Sequence, residues 1–211
     1  MSFEAVQEFE SKIADFYGSP YAIAVDCCTH SIELCLRYTN SQEWHSCRYT
    51  KAQNLVLPPR TYLSVPFTLE KLGLDWVFED EEWHDYYYIG NTNIIDAAVY
   101  WKEAGYIPGT LMCLSFQYQK HLSLGRGGMI LTDNKESAEE LKKMSYDGRL
   151  PNIPWRDQDI KSVGYHYYMT PETAALGLSK LEQAKTDKPR KWNVTDWPDL
   201  RNMSVFKHKR L

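Results

Sequence analysis

The chain has 211 residues, and its 28 acidic and 24 basic side chains give a formal net charge of −4 with histidine neutral. Apolar residues make up 43% of the chain and aromatic residues 14%, a composition that excludes intrinsic disorder and, at this length, indicates one domain with or without an appended tail. No apolar run approaches the roughly 18 residues that a membrane span needs. The mildly acidic charge argues against nucleic acid as the main partner.

The start of the chain and its cysteines indicate a cytoplasmic protein. The first residues, MSFEAVQEFESK, are acidic and amphipathic, whereas a signal peptide is basic and then apolar. The five cysteines are an odd number, and Cys27 and Cys28 are adjacent, so free thiols in a reducing compartment are expected. The six histidines share no ligand spacing with the cysteines, and no metal site is expected.

Hydrophobic periodicity predicts a helix over residues 3–16, followed by short apolar strands that alternate with helical segments. The predicted strands are 21–25, 54–57, 75–78, 93–96, 111–116 and 128–132. The predicted helices continue at 32–38, 61–72, 135–146 and 171–184, the last with Thr170 as its N-cap. Loops are predicted at 79–83 and 150–162.

This alternation predicts an α/β fold with a mostly parallel sheet flanked by helices, in which ligands bind beyond the carboxyl ends of the strands. Residues 1–185 are expected to form this domain. Residues 186–211, called the tail below, have a different composition with several Trp, Pro and basic residues. The tail is expected to lack a core of its own and to dock on the body or on another subunit.

Two polar segments follow the first two predicted strands. In the turn Asp26–Ser31, exposed N–H groups at a helix start suit a phosphate, but Thr29 can equally serve as a simple N-cap. After Leu57, two prolines fix a turn that presents Tyr62. This ring either stacks on a planar ligand or packs under a loop.

Two further charged residues lie at strand ends. Asp96 ends the apolar strand 93–96 and needs either a cationic or hydrogen-bonding partner or a cap position, since burying a carboxylate is costly. Lys120 follows Ser115 and precedes the Gly-rich segment 125–128. A lysine in a glycine-rich bend between two buried strands favours contact with a ligand over a solvated surface position.

In this order the motifs resemble those of the DegT/DnrJ/StrS family of aminotransferases that use pyridoxal 5'-phosphate (PLP) and place amino groups on nucleotide-linked sugars. The family pattern S-F-x-x-x-K-x-x-x-x-x-x-G-G begins at Ser115 and places its lysine at Lys120. D-A-A begins at Asp96, and P-x-x-T-aromatic-x-S begins at Pro58. The pattern G-Y-x-Y-x-M-T covers 164–170, and the whole match covers about residues 3–185.

The resemblance implies the large domain of a fold type I PLP-dependent transferase and a role for each motif residue. Lys120 would hold PLP as a Schiff base and shuttle the substrate proton. Asp96 would pair with the pyridine nitrogen, and Tyr62 would stack on the ring. The residues implied for the phosphate are Cys28, Thr29 and Ser115.

Three positions depart from the family pattern. Val99 replaces a His or Gln, Arg126 replaces a Glu, and Tyr168 replaces an Asn that in relatives reaches the phosphate of the adjacent subunit. Arg126 is expected to bind a substrate carboxylate or phosphate, or to form a salt bridge with a nearby acid. His121, beside Lys120, is expected to be either a proton relay or a packed neutral imidazole.

Relatives continue past the position of Ala184 into a C-terminal domain, so the resemblance implies a shortened form. The favoured reading is an aminotransferase that acts as a homodimer with interfacial sites, with glutamate or glutamine as donor and a keto-sugar nucleotide as acceptor. One alternative is a PLP-binding, non-catalytic partner or regulatory protein. Another is a structural remnant that needs a second chain.

Overall fold

The computed structural model describes residues 3–42 and 55–209, with side chains for 3–40 and 55–209. The helices are α1 (Glu4–Tyr17), α2 (Cys28–Gln42), α3 (Ser64–Lys71), α4 (Lys135–Ser145) and α5 (Pro171–Thr186). The strands are β1 (Tyr21–Val25), β2 (Leu55–Leu57), β3 (Trp76–Phe78), β4 (Tyr87–Tyr88), β5 (Ile94–Asp96), β6 (Leu111–Ser115) and β7 (Gly128–Thr132).

The predicted helices and strands are confirmed in the described residues, with shifts at several ends. The largest shift is in α2, which begins at Cys28 rather than at residue 32. The N-cap prediction for Thr170 is confirmed, because its side chain accepts a hydrogen bond from the N–H of Thr173. The alternative that Thr29 caps α2 is wrong, because the helix already begins at Cys28. Cys47 and Asn54 lie outside the described residues, and β4 was not predicted.

The main sheet is mixed, so the prediction of a mostly parallel sheet is wrong. Its strand order is β1-β7-β6-β5-β4. Only the β5–β6 pair is parallel, whereas β1–β7, β6–β7 and β4–β5 are antiparallel. The connection from β6 to β7 contains no helix, and without such a crossover neighbouring strands run in opposite directions.

The sheet separates two apolar layers, because successive side chains of a strand point to opposite faces. On one face, Ile23, Cys113 and Ile130 pack in a cluster with apolar residues of α2, α3 and α4. On the other face, Met112 and Leu131 pack in a cluster with residues of α1 and α5. Helices therefore flank the sheet on both sides, as predicted.

A second, two-stranded sheet adjoins the main one. Its strands β2 and β3 are parallel, and the Gly90 N–H, just after β4, donates to the Val56 carbonyl of β2 at 2.9 Å. In the segment after β2, which contains Tyr62, the Thr61 hydroxyl hydrogen-bonds with the Tyr87 hydroxyl, which donates to Asp96 at the end of β5. No helix within residues 3–42 and 55–209 is long and apolar enough to cross a membrane.

The described part of the tail contacts the body through two buried apolar residues. Leu200 and Phe206 are both 1% exposed and belong to the cluster on the α2 side of the sheet. The Phe206 ring packs 5.8 Å from Trp76 and 5.6 Å from Phe78, centroid to centroid. Two backbone hydrogen bonds add to this contact, from Leu200 to Pro59 and from Phe78 to Lys209.

Candidate active site

The side chains of Lys120 and Asp96 line one pocket at the carboxyl end of β5. Asp96 is the last residue of β5, and Lys120 lies in the β6–β7 connection, where its N–H donates to the Gln117 carbonyl at 2.8 Å. The lining residues are Thr61, Tyr62, Trp83, Tyr87, Asp96, Ala98, Val99, Lys120 and Trp197. An amine and a carboxylate therefore face the same space.

The carboxylate of Asp96 is buried and held by one hydrogen bond on each oxygen. The Ala98 N–H donates to Oδ1 at 3.0 Å, and the Tyr87 hydroxyl donates to Oδ2 at 2.7 Å. Burial raises the pKa of Asp96, while the bonds from Tyr87 and Ala98 and the charge of Lys120 act against that rise. Each oxygen keeps acceptor capacity for a further N–H group.

Lys120 is half-buried. Burial lowers the pKa of Lys120, and the charge of Arg190 lowers it further, whereas Asp96 and Cys28 raise it. A lowered pKa increases the fraction of unprotonated amine near neutral pH, which is the form that attacks a carbonyl.

The N-terminus of α2 lies beside this pocket. Cys28, its first residue, is buried, and the charges of Asp96 and Lys120 both act on its thiol, although burial is the main reason that its pKa is raised. Thr29 Oγ1 lies 2.7 Å from Ser64 Oγ. The first N–H groups of a helix have no partner within the helix, so this turn combines free donors with two hydroxyls.

Glycine is required at position 128 for the approach of β7 to this turn. Gly128 pairs with Val25 on one side and with Ser115 on the other. A Cβ atom at Gly128 would lie 2.4 Å from the Cys27 carbonyl carbon and 2.6 Å from the Cys28 nitrogen. Ser115, at the end of β6, is half-buried, and its Oγ lies 3.4 Å from the Gln117 N–H.

Asp26, in the turn before α2, forms a charged cluster with His30 and Arg126. His30 Nδ1 lies 2.6 Å from Asp26 Oδ1, and Arg126 donates to Asp26 Oδ2 at 2.8 Å. Burial lowers the pKa of His30, but hydrogen bonds with Asp26 and Cys27 outweigh it and raise the pKa to about 9. Arg126 thus forms the salt bridge that was one of its two expected roles, and its side chain remains largely exposed.

Tyr62, His121 and Tyr168 occupy three different environments. Tyr62 lines the pocket and is 59% exposed. His121 Nε2 lies 2.7 Å from the Ala184 carbonyl near the end of α5, and Tyr168 packs against Phe3. Neither His121 nor Tyr168 is among the residues that line the Lys120–Asp96 pocket.

Tyr87 and Trp83 are site residues that the sequence motifs do not identify. Tyr87 is buried and lies opposite Asp96 in the β4–β5 register, and Trp83 packs on Tyr87 with ring centroids 5.1 Å apart. The run Tyr86–Tyr88 in an otherwise acidic segment was the available signal. A strand of two residues shows too little alternation to be predicted.

The chain belongs to the DegT/DnrJ/EryC1/StrS aminotransferase family, whose model matches residues 1–100 and 95–196. The α/β fold expected from the resemblance is confirmed by solved structures. One of these is AtS13 from Actinomadura melliaura, with a TM-score of 0.71 at 19% identity, over 87% of this chain and 61% of that one.

Two curated relatives are similar along most of this chain. The spore coat polysaccharide biosynthesis protein SpsC of Bacillus subtilis is 24% identical, over 90% of this chain and 59% of its own length. The GDP-perosamine synthase of Caulobacter vibrioides is 26% identical, over 91% of this chain and 60% of its own length. The chain thus spans about three fifths of the length of these relatives.

Proposed function

We propose that this protein is a PLP-dependent aminotransferase that moves an amino group from glutamate or glutamine to a keto-sugar nucleotide. The observation that carries the proposal is the shared pocket of the Lys120 amine and the Asp96 carboxylate, beside the N-terminus of α2. Family membership supports the reaction class, and the name of the similar GDP-perosamine synthase supports a nucleotide sugar as acceptor.

The functional groups of the residues around the pocket match those that PLP requires. Lys120 would hold its aldehyde carbon, Asp96 its pyridine nitrogen, and Tyr62 one face of its ring. The N–H groups at the start of α2, with the hydroxyls of Thr29 and Ser115, would hold its phosphate. When bound, PLP supplies an electron sink for the bonds at the substrate's amino-bearing carbon.

Lys120 and Asp96 would then have separate tasks. The free amine of Lys120 accepts and returns the proton of the amino-bearing carbon, and its lowered pKa favours the basic form. The Asp96 carboxylate keeps a proton on the ring nitrogen. The Tyr87 and Ala98 donors orient Asp96, so that its remaining lone pairs face the pocket.

Partners and location follow from the same proposal. We infer a homodimer with sites at the interface, in which Arg126, Tyr168 and His121 contact substrate or the partner subunit. A cytoplasmic setting fits the free thiols found at Cys27, Cys28, Cys35 and Cys113 among the described residues.

A PLP-binding protein without turnover is the second candidate. It is favoured by Val99, an apolar residue on the pocket wall where a polar side chain would contact the cofactor. The two candidates share the same PLP site and differ only in whether an amino donor is consumed.

Borohydride trapping tests the PLP site. We expect protein incubated with PLP to gain visible absorbance and, after reduction and peptide mapping, to carry a pyridoxyl group on Lys120. Lys120→Ala should lose both signals, and the control Lys161→Ala, at an exposed residue paired with Asp159, should keep them. Equal labelling of Lys120→Ala and the unaltered protein would refute the assignment.

A donor panel then separates the two candidates. Transfer predicts that glutamate or glutamine abolishes the visible absorbance within one turnover, because the amino group leaves the donor and stays on the cofactor. Absorbance that persists with every amino acid in the panel would support the non-catalytic alternative.

A further inference from the structure

Four aromatic side chains and one guanidinium form a ladder of ring contacts that runs from the tail into the pocket. The guanidinium carbon of Arg190 lies 3.9 Å from the Trp192 ring centroid. The Trp192 and Trp197 rings are stacked with centroids 5.3 Å apart. Trp197 packs on Trp83 at 4.9 Å, and Trp83 packs on Tyr87 at 5.1 Å.

The ladder contacts both ionisable groups of the proposed site. Tyr87, its innermost ring, donates its hydroxyl hydrogen bond to Asp96. Trp192, nearer the surface, places its ring centroid 4.7 Å from Lys120 Nζ. An ammonium group at this distance is attracted to the face of an indole. The tail therefore contacts the amine directly and the carboxylate through two rings.

Hydrogen bonds fix the middle of the ladder to the body. Arg60 Nη1 donates to the Trp197 carbonyl at 2.8 Å, and the indole N–H of Trp83 donates to the Arg60 carbonyl at 2.8 Å. Beyond Trp197, the buried Leu200 and Phe206 hold the rest of the described tail. Trp197 is thus held on the wall of the pocket, and Trp192 stacks on it beside Lys120.

We propose that the tail completes the Lys120–Asp96 site, with Trp192 as a positioning residue for the Lys120 amine and Trp197 as a positioning residue for Asp96 through Trp83 and Tyr87. The part of the proposal that concerns PLP binding rests on the proposed function. The part that concerns the positions of the Lys120 amine and the Asp96 carboxylate does not depend on PLP. The Trp192 indole shields the amine from water and restricts the directions in which it can point.

Competitive reductive methylation of the protein without PLP tests the contact of Trp192 with Lys120. Formaldehyde and cyanoborohydride methylate exposed lysines, and peptide mass spectrometry gives the rate at Lys120 relative to the exposed Lys161. We expect Trp192→Leu to raise this ratio about tenfold, since a shielded amine becomes accessible. Trp192→Phe, which keeps an aromatic face, should stay within twofold of the unaltered protein.

Trp155→Leu is the matched control, because Trp155 is 70% exposed and lies outside the tail. It should leave the ratio unchanged. If Trp192→Leu has the same ratio as the unaltered protein, with the same circular dichroism and melting temperature, Trp192 does not position the amine and the proposal fails. An equal rise in Trp155→Leu would refute it as well.

Trp197→Leu tests the second contact with added PLP. We expect the PLP dissociation constant, measured by visible absorbance, to rise about tenfold, and the pH midpoint of that absorbance to shift because Asp96 is reoriented. If the PLP dissociation constant and the pH midpoint are both unchanged, Trp197 does not position Asp96. Should the unaltered protein bind no PLP, the proposed function fails, while the methylation ratio still decides whether the tail positions Lys120.

Discussion

The floor and the cover of the pocket are held by different forces. The floor consists of Asp96, Thr61 and the turn before α2. Hydrogen bonds with Tyr87 and Ala98 fix the first two, and the Asp26 N–H donates to the Tyr167 carbonyl to hold the turn. The cover consists of Trp192 and Trp197, whose rings pack on neighbouring rings, with one hydrogen bond from Arg60 to the Trp197 carbonyl. Hydrogen bonds are directional and tie the floor to the strand register, whereas the ring packing that supplies most of the cover's side-chain contacts is not directional.

This difference predicts that the cover can be released while the floor stays intact. The most damaging single change is expected to be Phe206→Ala, because removing a buried phenylalanine costs about 3–5 kcal/mol. That loss should fall on the docking of the tail. In hydrogen exchange, the N–H groups of Leu200 and Phe78, which bond across the tail contact, should lose protection, while those of β6 and β7 keep theirs.

Val205→Ala is the control for that change, since Val205 is in the same turn and is half exposed. It should leave exchange unaltered. If β6 and β7 lose protection in Phe206→Ala together with the tail, the cover and the floor form one cooperative unit and the distinction between them is wrong.

A substitution in the floor should act through the main chain instead. Gly128→Ala is expected to destabilise the protein by about 3 kcal/mol, because the new Cβ would overlap backbone atoms of Cys27 and Cys28, and such overpacking forces the backbone to move. Urea unfolding of the two proteins measures the difference. Binding of PLP should weaken with it, since the turn that must move is the proposed phosphate site.

Gly127→Ala is the neighbouring control. Its Cβ would meet only side-chain atoms, 3.2 Å from Phe116 Cβ and 3.3 Å from Met169 Cε, so a loss of about 1 kcal/mol is expected. Equal losses of unfolding free energy in Gly127→Ala and Gly128→Ala would show that the stability of the floor does not depend on the close approach of β7 to the turn before α2.

The sequence was sufficient for most of the floor because motifs and strand ends coincide there. Asp96 closes an apolar run, and Lys120 lies in a glycine-rich bend, so a buried charge and an unusual turn both mark the place. The direction of β7 was missed because a strand looks the same in the sequence whichever way it runs, and only the helix-free connection after Ser115 determines its pairing.

The cover could not be predicted in the same way. Trp192 and Trp197 are single residues in a segment without helical or strand periodicity, and their partner Trp83 lies far away in an acidic loop. The tail was expected to dock on the body or on a partner, but nothing in its sequence points to Lys120. Contacts between aromatic rings produce no regular spacing in the sequence, whereas helix caps and strand ends produce recognisable residue patterns.

A third substitution, at His30, distinguishes the floor from the cover by how the stability of the protein depends on pH. His30 stacks on Tyr167 with ring centroids 3.6 Å apart and pairs with Asp26, and its pKa of about 9 exceeds the ordinary 6.5. The folded state therefore binds the proton more tightly than the unfolded chain. This stabilisation is complete below pH 6.5, declines as the pH rises towards 9, and is absent above that range.

We therefore expect His30→Gln to cost about 2 kcal/mol more at pH 6 than at pH 10, the size being reduced from the full shift because solvent reaches the half-buried ring. The pKa of Asp26 is lowered by His30 and Arg126 despite its burial, so its charge does not change across this interval. Urea unfolding at several pH values measures the difference, with the exposed His84→Gln as control. A cost that is the same at pH 6 and pH 10 would mean that the ring is neutral and that the floor, like the aromatic cover, does not depend on a titrating charge.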